Sequence, residues 1–244
     1  MPDEVLKGNA AGSKSAPAPQ QVAVNTQNVG PNQISVDFDT PNGNQPNSFG
    51  NYTYIWQSGN QVPWSSDAEN GQAIPNNSPS GSMSFQDLDV TTLSYIIGYA
   101  VGPIESTPWS KYSNVVATVY VPAIGSGATL DEAAQNGDVF MPSVGVATYG
   151  ATSLVANIAL PPGFNPGQSN TYVGIWEGGS ASYSQTPKWY QPATSSNASS
   201  QVSFNNIKLL RSTTYTLALF ASGYASDITK LKQTAMAATS SFKV

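Results

Sequence analysis

The chain has 244 residues, of which 39% are hydrophobic and only 9% charged, with a net charge of −5 and neither Cys nor His. Without those two residue types it cannot build a Ser–His–Asp triad, a Cys–His pair, a disulfide or a His/Cys zinc site. About 25% charged is usual for a soluble domain, so this surface has to be made from Asn, Gln, Ser, Thr and Gly, and the length suits two domains of ordinary size.

Residues 1–17, MPDEVLKGNAAGSKSAP, mix small residues with Pro and a few charges and are expected to form a flexible N-terminal segment. They lack the apolar stretch of a signal peptide, and no run of about 18 apolar residues follows, so no transmembrane segment is expected. From residue 18 onward, short alternating segments bounded by Gly, Pro, Asn and Ser recur about every ten residues, the pattern of an all-β chain. ISVDFD sets Ile34, Val36 and Phe38 against Ser35, Asp37 and Asp39. YTYIW sets Tyr52, Tyr54 and Trp56 on one face, and YIIGYAV does the same with Tyr95, Ile97, Tyr99 and Val101. Period two gives each set one side of a strand, and these sets are expected in the core. Residues 123–139 begin Gly/Ser-rich and read as a linker, in which TLDEAAQ forms one helical turn capped by Thr129 or Asp131.

The second half then repeats the first. LVANI at Leu154 matches ISVDF at Ile34, and Trp176 in IWEGG matches Trp56 in IWQSG, each 120 residues on. Phe204 follows Phe85 by 119 residues, and Tyr215 in TTYTLALF follows Tyr95 in TLSYIIGY by 120. Trp64 and Trp189 are 125 apart, as if the second loop held five more residues. Four landmarks in one order at nearly one offset divide the chain into copies at 18–122 and 140–244.

Each copy resembles a fibronectin type III domain, within the wider immunoglobulin-like group. APAPQQVAVNTQNVGPNQISVDFDTP is similar to that family's first two strands, YTYIWQSG to its aromatic third, SFQDLDVTTLSYIIGYAVG to the turn and Tyr strand, and ESTPWSKYSNVVATVYV to the last loop and strand. The resemblance implies two tandem antiparallel β-sandwiches, with Leu88 corresponding to Ile207 or Leu209. It departs at the second strand, where Phe38 and Ile158 stand in place of the family's Trp. A sandwich of about seven strands can lock its layers with a Tyr whose hydroxyl bonds to backbone at the preceding corner. Tyr95 and Tyr215 are expected to do this, and with Trp56 and Trp176 to form the structural core.

Chemistry is narrowly bounded. No GxxxxGK[ST] phosphate loop occurs. The acid pairs Asp37 with Asp39, Asp67 with Glu69, and Asp87 with Asp89 read as solvated surface, as a calcium site, or as the carboxylates of a hydrolase. Asp37, Asp39, Asp87 and Asp89 are the metal candidates, and calcium is the one cofactor they admit. Trp64, Trp109 and Trp189 sit in Pro-containing polar loops, where they either lid their own domain or, with Tyr190, offer a flat face to a protein or a sugar ring. Copy one carries seven acids against Lys111, a net −6, whereas copy two carries two acids against six bases, a net +4. Modules of opposite sign can attract one another, which makes self-association a partner option beside a protein or a glycan, or the asymmetry is neutral drift of surface charge. Copy two has no dense basic stripe, so nucleic acid is not expected. The sequence therefore points to a non-catalytic protein–protein or adhesion module. A lectin-like binder using the loop Trp residues is the alternative, and a carboxylate-dependent hydrolase comes last. The low charge favours an extracellular, cell-surface or virion setting.

Overall fold

A computed structural model of the chain describes residues 17–18, 20–103, 107, 109–126 and 138–244. The expected helical turn at 129–135 and nearly all of the N-terminal segment lie outside them. In chain order the strands are β1 (Gln20–Gln21), β2 (Ala23–Val29), β3 (Ile34–Asp39), β4 (Tyr52–Gln57), β5 (Asn70–Ala73), β6 (Ser80–Phe85), β7 (Tyr95–Ala100), β8 (Val115–Val121) and β9 (Val139–Phe140). There follow β10 (Ser143–Tyr149), β11 (Ser153–Ala159), β12 (Tyr172–Glu177), β13 (Trp189–Pro192), β14 (Ser199–Asn205), β15 (Thr214–Phe220) and β16 (Met236–Lys243). One four-residue helix, α1 (Pro46–Phe49), starts on Pro and stops at Gly50, whose φ of 71° closes it. No helix among the described residues is long and apolar enough to cross a membrane.

Among the described residues the strands form four antiparallel sheets. β2-β3-β6 faces β5-β4-β7-β8-β9, and β10-β11-β14 faces β1-β16-β15-β12-β13. These are two β-sandwiches, three strands against four, with one foreign strand added to each larger sheet. The registers match across the halves: Ile34 lies opposite Phe85 as Leu154 does opposite Phe204, and Tyr95 opposite Gln57 as Tyr215 does opposite Glu177. Ile34, Val36, Phe38, Tyr95, Ile97 and Tyr99 point between the layers of the first sandwich, as Leu154, Ile158, Tyr215, Leu217 and Leu219 do in the second.

The aromatic set of β4 lies elsewhere than its alternation suggests. Ile55 joins the interlayer core, whereas Tyr54 and Trp56, 7% and 1% exposed, are buried on the outer face of their sheet beneath Val62 and Tyr112. In the second sandwich Ile175 faces inward, while Tyr172 and Trp176 pack outside with Phe220 and Met236. Chain segments fold back over the outer face of both strands, so each is buried on both sides. Room for the indoles comes from glycine: a Cβ on Gly174 would lie 2.7 Å from the Trp176 ring.

The added strands tie the halves together reciprocally. β1 leads into the first sandwich but pairs with β16 of the second, Gln20 opposite Thr239, and Val22 N–H continues the ladder to Ala237 O at 2.8 Å. β9 leads into the second sandwich but pairs with β8 of the first, Val139 opposite Val119. Gln21 and Met141, 120 positions apart, meet where the two segments cross, with Gln21 Nε2 3.3 Å from Met141 Sδ. Both added pairings are antiparallel, and β1 and β9 run on without a turn into β2 and β10. The two sandwiches therefore point in opposite directions about a local two-fold relation.

Candidate functional site

Three places gather the residues that the sequence singles out: the corner before each Tyr strand, the outer face of the first three-stranded sheet, and the junction between sandwiches.

At the corners, Tyr95 OH accepts the Asp89 N–H at 3.0 Å and Tyr215 OH accepts the Leu210 N–H at 3.0 Å, with both rings buried. Leu88 N–H bonds Asn32 O and Ile207 N–H bonds Thr152 O, so Leu88 corresponds to Ile207, and Leu209 corresponds to Val90. Asp87 and Asn206 hold the same left-handed turn, with φ of 60° and 58°. Asx side chains tolerate that region better than most, which gives Asp87 a conformational role. The exposed Asp89 carboxylate accepts from the Thr91 and Thr92 hydroxyls, and these bonds lower its pKa from the ordinary value.

Asp37 and Asp39 sit on the outer face of β3. Asp37 accepts from Ser82 Oγ at 2.6 Å, and Asp39 accepts from Thr40 N–H at 2.9 Å. β3 separates this pair from the corner that holds Asp87 and Asp89, and among the described residues no three acids stand close enough together to hold a metal ion. Asp67 is ion-paired with Lys111.

The loop tryptophans divide. Trp64 and Trp109 lie at the junction, where their rings surround Phe164 of the second sandwich at centroid distances of 5.7 and 5.4 Å. Both indole N–H groups bond across it, Trp64 Nε1 to Pro162 O at 2.9 Å and Trp109 Nε1 to Ser169 Oγ at 3.0 Å. Ser110 Oγ donates to Trp64 O at 2.6 Å and ties the two loops together. A Cβ on Gly163, at φ 82°, would stand 2.6 Å from Trp64 Nε1, so this approach requires glycine. Trp189 instead opens β13 and lies opposite Ile175, as Asn70 lies opposite Ile55. Asn70 is thus its counterpart and Trp64 is not. Trp189 packs toward Tyr215, centroids 6.1 Å apart, with Lys188 Nζ over its ring. Tyr190 points to the other face, where its hydroxyl donates to Ser226 O at 2.9 Å.

The sequence did not flag the remaining junction residues. Phe49 stacks on Tyr183 at 5.2 Å, beside a cleft that also takes in Asn42, Gln45, Ser182 and Ser184. Beneath it Asn51 Oδ1 accepts from Tyr99 OH at 3.0 Å and from Asn44 Nδ2 at 2.7 Å. Burial, with Tyr183 nearby, pushes the Tyr99 hydroxyl well above the usual tyrosine range. The only signal for these residues is an aromatic side chain in a polar, Pro- or Gly-rich loop, as in PNSFGN and PPGFNP. This junction is built to hold two sandwiches in one orientation, with an uncharged cleft beside Phe49 and Tyr183 at its rim.

No protein family matches the chain, and no curated protein does. Among solved structures it is similar to the BSP domain of a biofilm associated protein, with 12% identity and a TM-score of 0.22, covering 84% of this chain and 28% of that one. It is also similar to the FN1-FN3 domains of chicken CNTN1, with 12% identity and a TM-score of 0.25, covering 93% of this chain and 65% of that one. The chain thus spans less than two thirds of either.

Proposed function

We propose that this chain is a non-catalytic interaction module, a protein-binding or adhesion unit in which two sandwiches act as one rigid piece. The observation that carries this reading is the reciprocal pairing of β1 with β16 and of β9 with β8. It fixes the angle between the sandwiches and aims their two corner ends in opposite directions, as a bridging unit requires. The loop tryptophans support it, since Trp64 and Trp109 are engaged across the junction. The cleft beside Phe49 and Tyr183 is lined by Asn, Gln and Ser, which suit contact more than acid–base chemistry.

The test runs the full chain in two assays. Immobilised chain is titrated with a panel of purified surface and matrix proteins, and free chain is incubated with chromogenic ester, glycoside, phosphate and peptide substrates. Saturable binding without turnover is expected. Turnover that Asp37→Asn or Asp67→Asn abolishes would overturn the reading in favour of a carboxylate hydrolase.

A further inference from the structure

The two corner ends differ in charge. At the second sandwich, Lys208 and Arg211 stand exposed in the turn before β15, and Lys243, opposite Thr214, joins them at the end of β16. Glu177 at the same end is ion-paired with Lys188. Leu210, 41% exposed, and Tyr149, 47% exposed, lie among these cations, and the Tyr149 ring leans on Phe242 at 5.9 Å. At the first sandwich, Asp87 and Asp89 stand exposed in the matching turn. The exposed Asp138 joins them, because its carbonyl accepts Tyr120 N–H next to Val121, which lies opposite Tyr95. Val139, 40% exposed, adds an apolar side chain. Among the described residues of the first sandwich the one base is Lys111, in the β7–β8 segment and bound to Asp67.

We propose that the molecule associates head to tail with further copies of itself, the basic corner end of one docking on the acidic corner end of the next. This deepens the interaction-module reading and rests on it by naming a second copy as partner. Three features argue for that occupant. The ends are complementary in sign, and exposed nonpolar groups stand beside the charges of both, Leu210 and the Tyr149 ring at the basic end and Val139 at the acidic end. Pairing like ends would bring Asp87, Asp89 and Asp138 against their own copies, or Lys208, Arg211 and Lys243 against theirs, and such repulsion selects the polar arrangement. Because the two ends face opposite ways on one rigid body, each docking leaves a free end of either sign. The contact is heterologous and does not close, so it extends into a chain of molecules.

Sedimentation velocity of the full chain over a range of concentrations tests this. At about 0.01 M salt, where charges reach ~30 Å, the weight-average sedimentation coefficient rises with concentration past that of a dimer. At about 1 M salt, where they reach ~3 Å, it returns to the monomer value. Reversing the basic end with Lys208→Glu and Arg211→Glu weakens association about 100-fold or more. The acidic end is altered by Asp138→Lys with Asp87→Asn, which keeps the capping Asp89. Asn is tolerated there, since Asn206 adopts the same φ. Each variant alone is monomeric, and mixing the two restores association through the one complementary pair of ends. All these side chains are exposed, so unchanged thermal melts confirm the fold. A chain that stays monomeric at low salt, or a basic-end variant that associates as the parent does, overturns the proposal. Either result leaves the module reading standing if panel proteins still bind, whereas turnover would remove that reading.

Discussion

Tyr95 and Tyr215 each spend a hydroxyl on one backbone N–H of the preceding corner. Tyr95→Phe and Tyr215→Phe keep the buried ring and delete that acceptor, so each lowers stability by about 1 kcal/mol. The two sites belong to different sandwiches and share no partner, so the double variant loses close to the sum. Urea unfolding of the three variants measures this, and a double variant no worse than either single one would show that the corners do not act separately. These tyrosines were legible in the sequence because a Thr-rich turn before an alternating Tyr strand occurs twice. Trp56 was legible only in part. Period two shows which side chains share a face, but not which face is the core, and β4 is covered on both. Asp87 shows the same limit, since an acid two residues from another reads as a metal candidate until its φ of 60° is known.

At the scale of elements, the larger strands announce themselves by apolar alternation, while the two that fix the architecture do not. β1 is Gln20–Gln21 and β9 is Val139–Phe140, each too short to carry a period. Their partners are chosen by the direction in which the chain leaves the neighbouring sandwich, which no local pattern encodes. The crossing of these strands is open to a direct check, because the chain has no cysteine of its own. Gln21→Cys with Met141→Cys places two thiols where the side-chain tips now touch. A short bis-maleimide should bridge them within one molecule, giving a faster-migrating monomer band under denaturing conditions. Bridging only between molecules would mean that β1 completes the β16 edge of a different chain.

Across the whole molecule, one apolar cluster runs from Val22 through the Trp64, Trp109 and Phe164 contact into the second sandwich. The sequence marked both tryptophans as loop residues with a face to offer. It could not show that the face is offered to the other half of the same chain, since that depends on the relative direction of the sandwiches. The buried tyrosines also act at this scale. Burial raises the pKa of Tyr54, Tyr99, Tyr172 and Tyr183 above the ordinary 10.0. Their contribution to stability is fully present below pH 10 and is lost as pH climbs from there toward the folded values, because the unfolded chain then ionises first. Alkaline unfolding should coincide with the part of the tyrosinate absorbance rise that these four hydroxyls contribute. Ionisation of all tyrosines with no loss of β-sheet circular dichroism would contradict the burial. The reciprocal clasp also sets an order in time. The contact between Gln20 and Thr239 spans 219 residues, so β1 waits for a strand that is made 219 residues later. At ~5–20 residues per second that wait is roughly 10–40 s on the ribosome. During it the first sandwich can close its own seven strands while β1 hangs unpaired. Its docking thus has to follow synthesis of β16, and it certifies that the last strand of the second sandwich has been made.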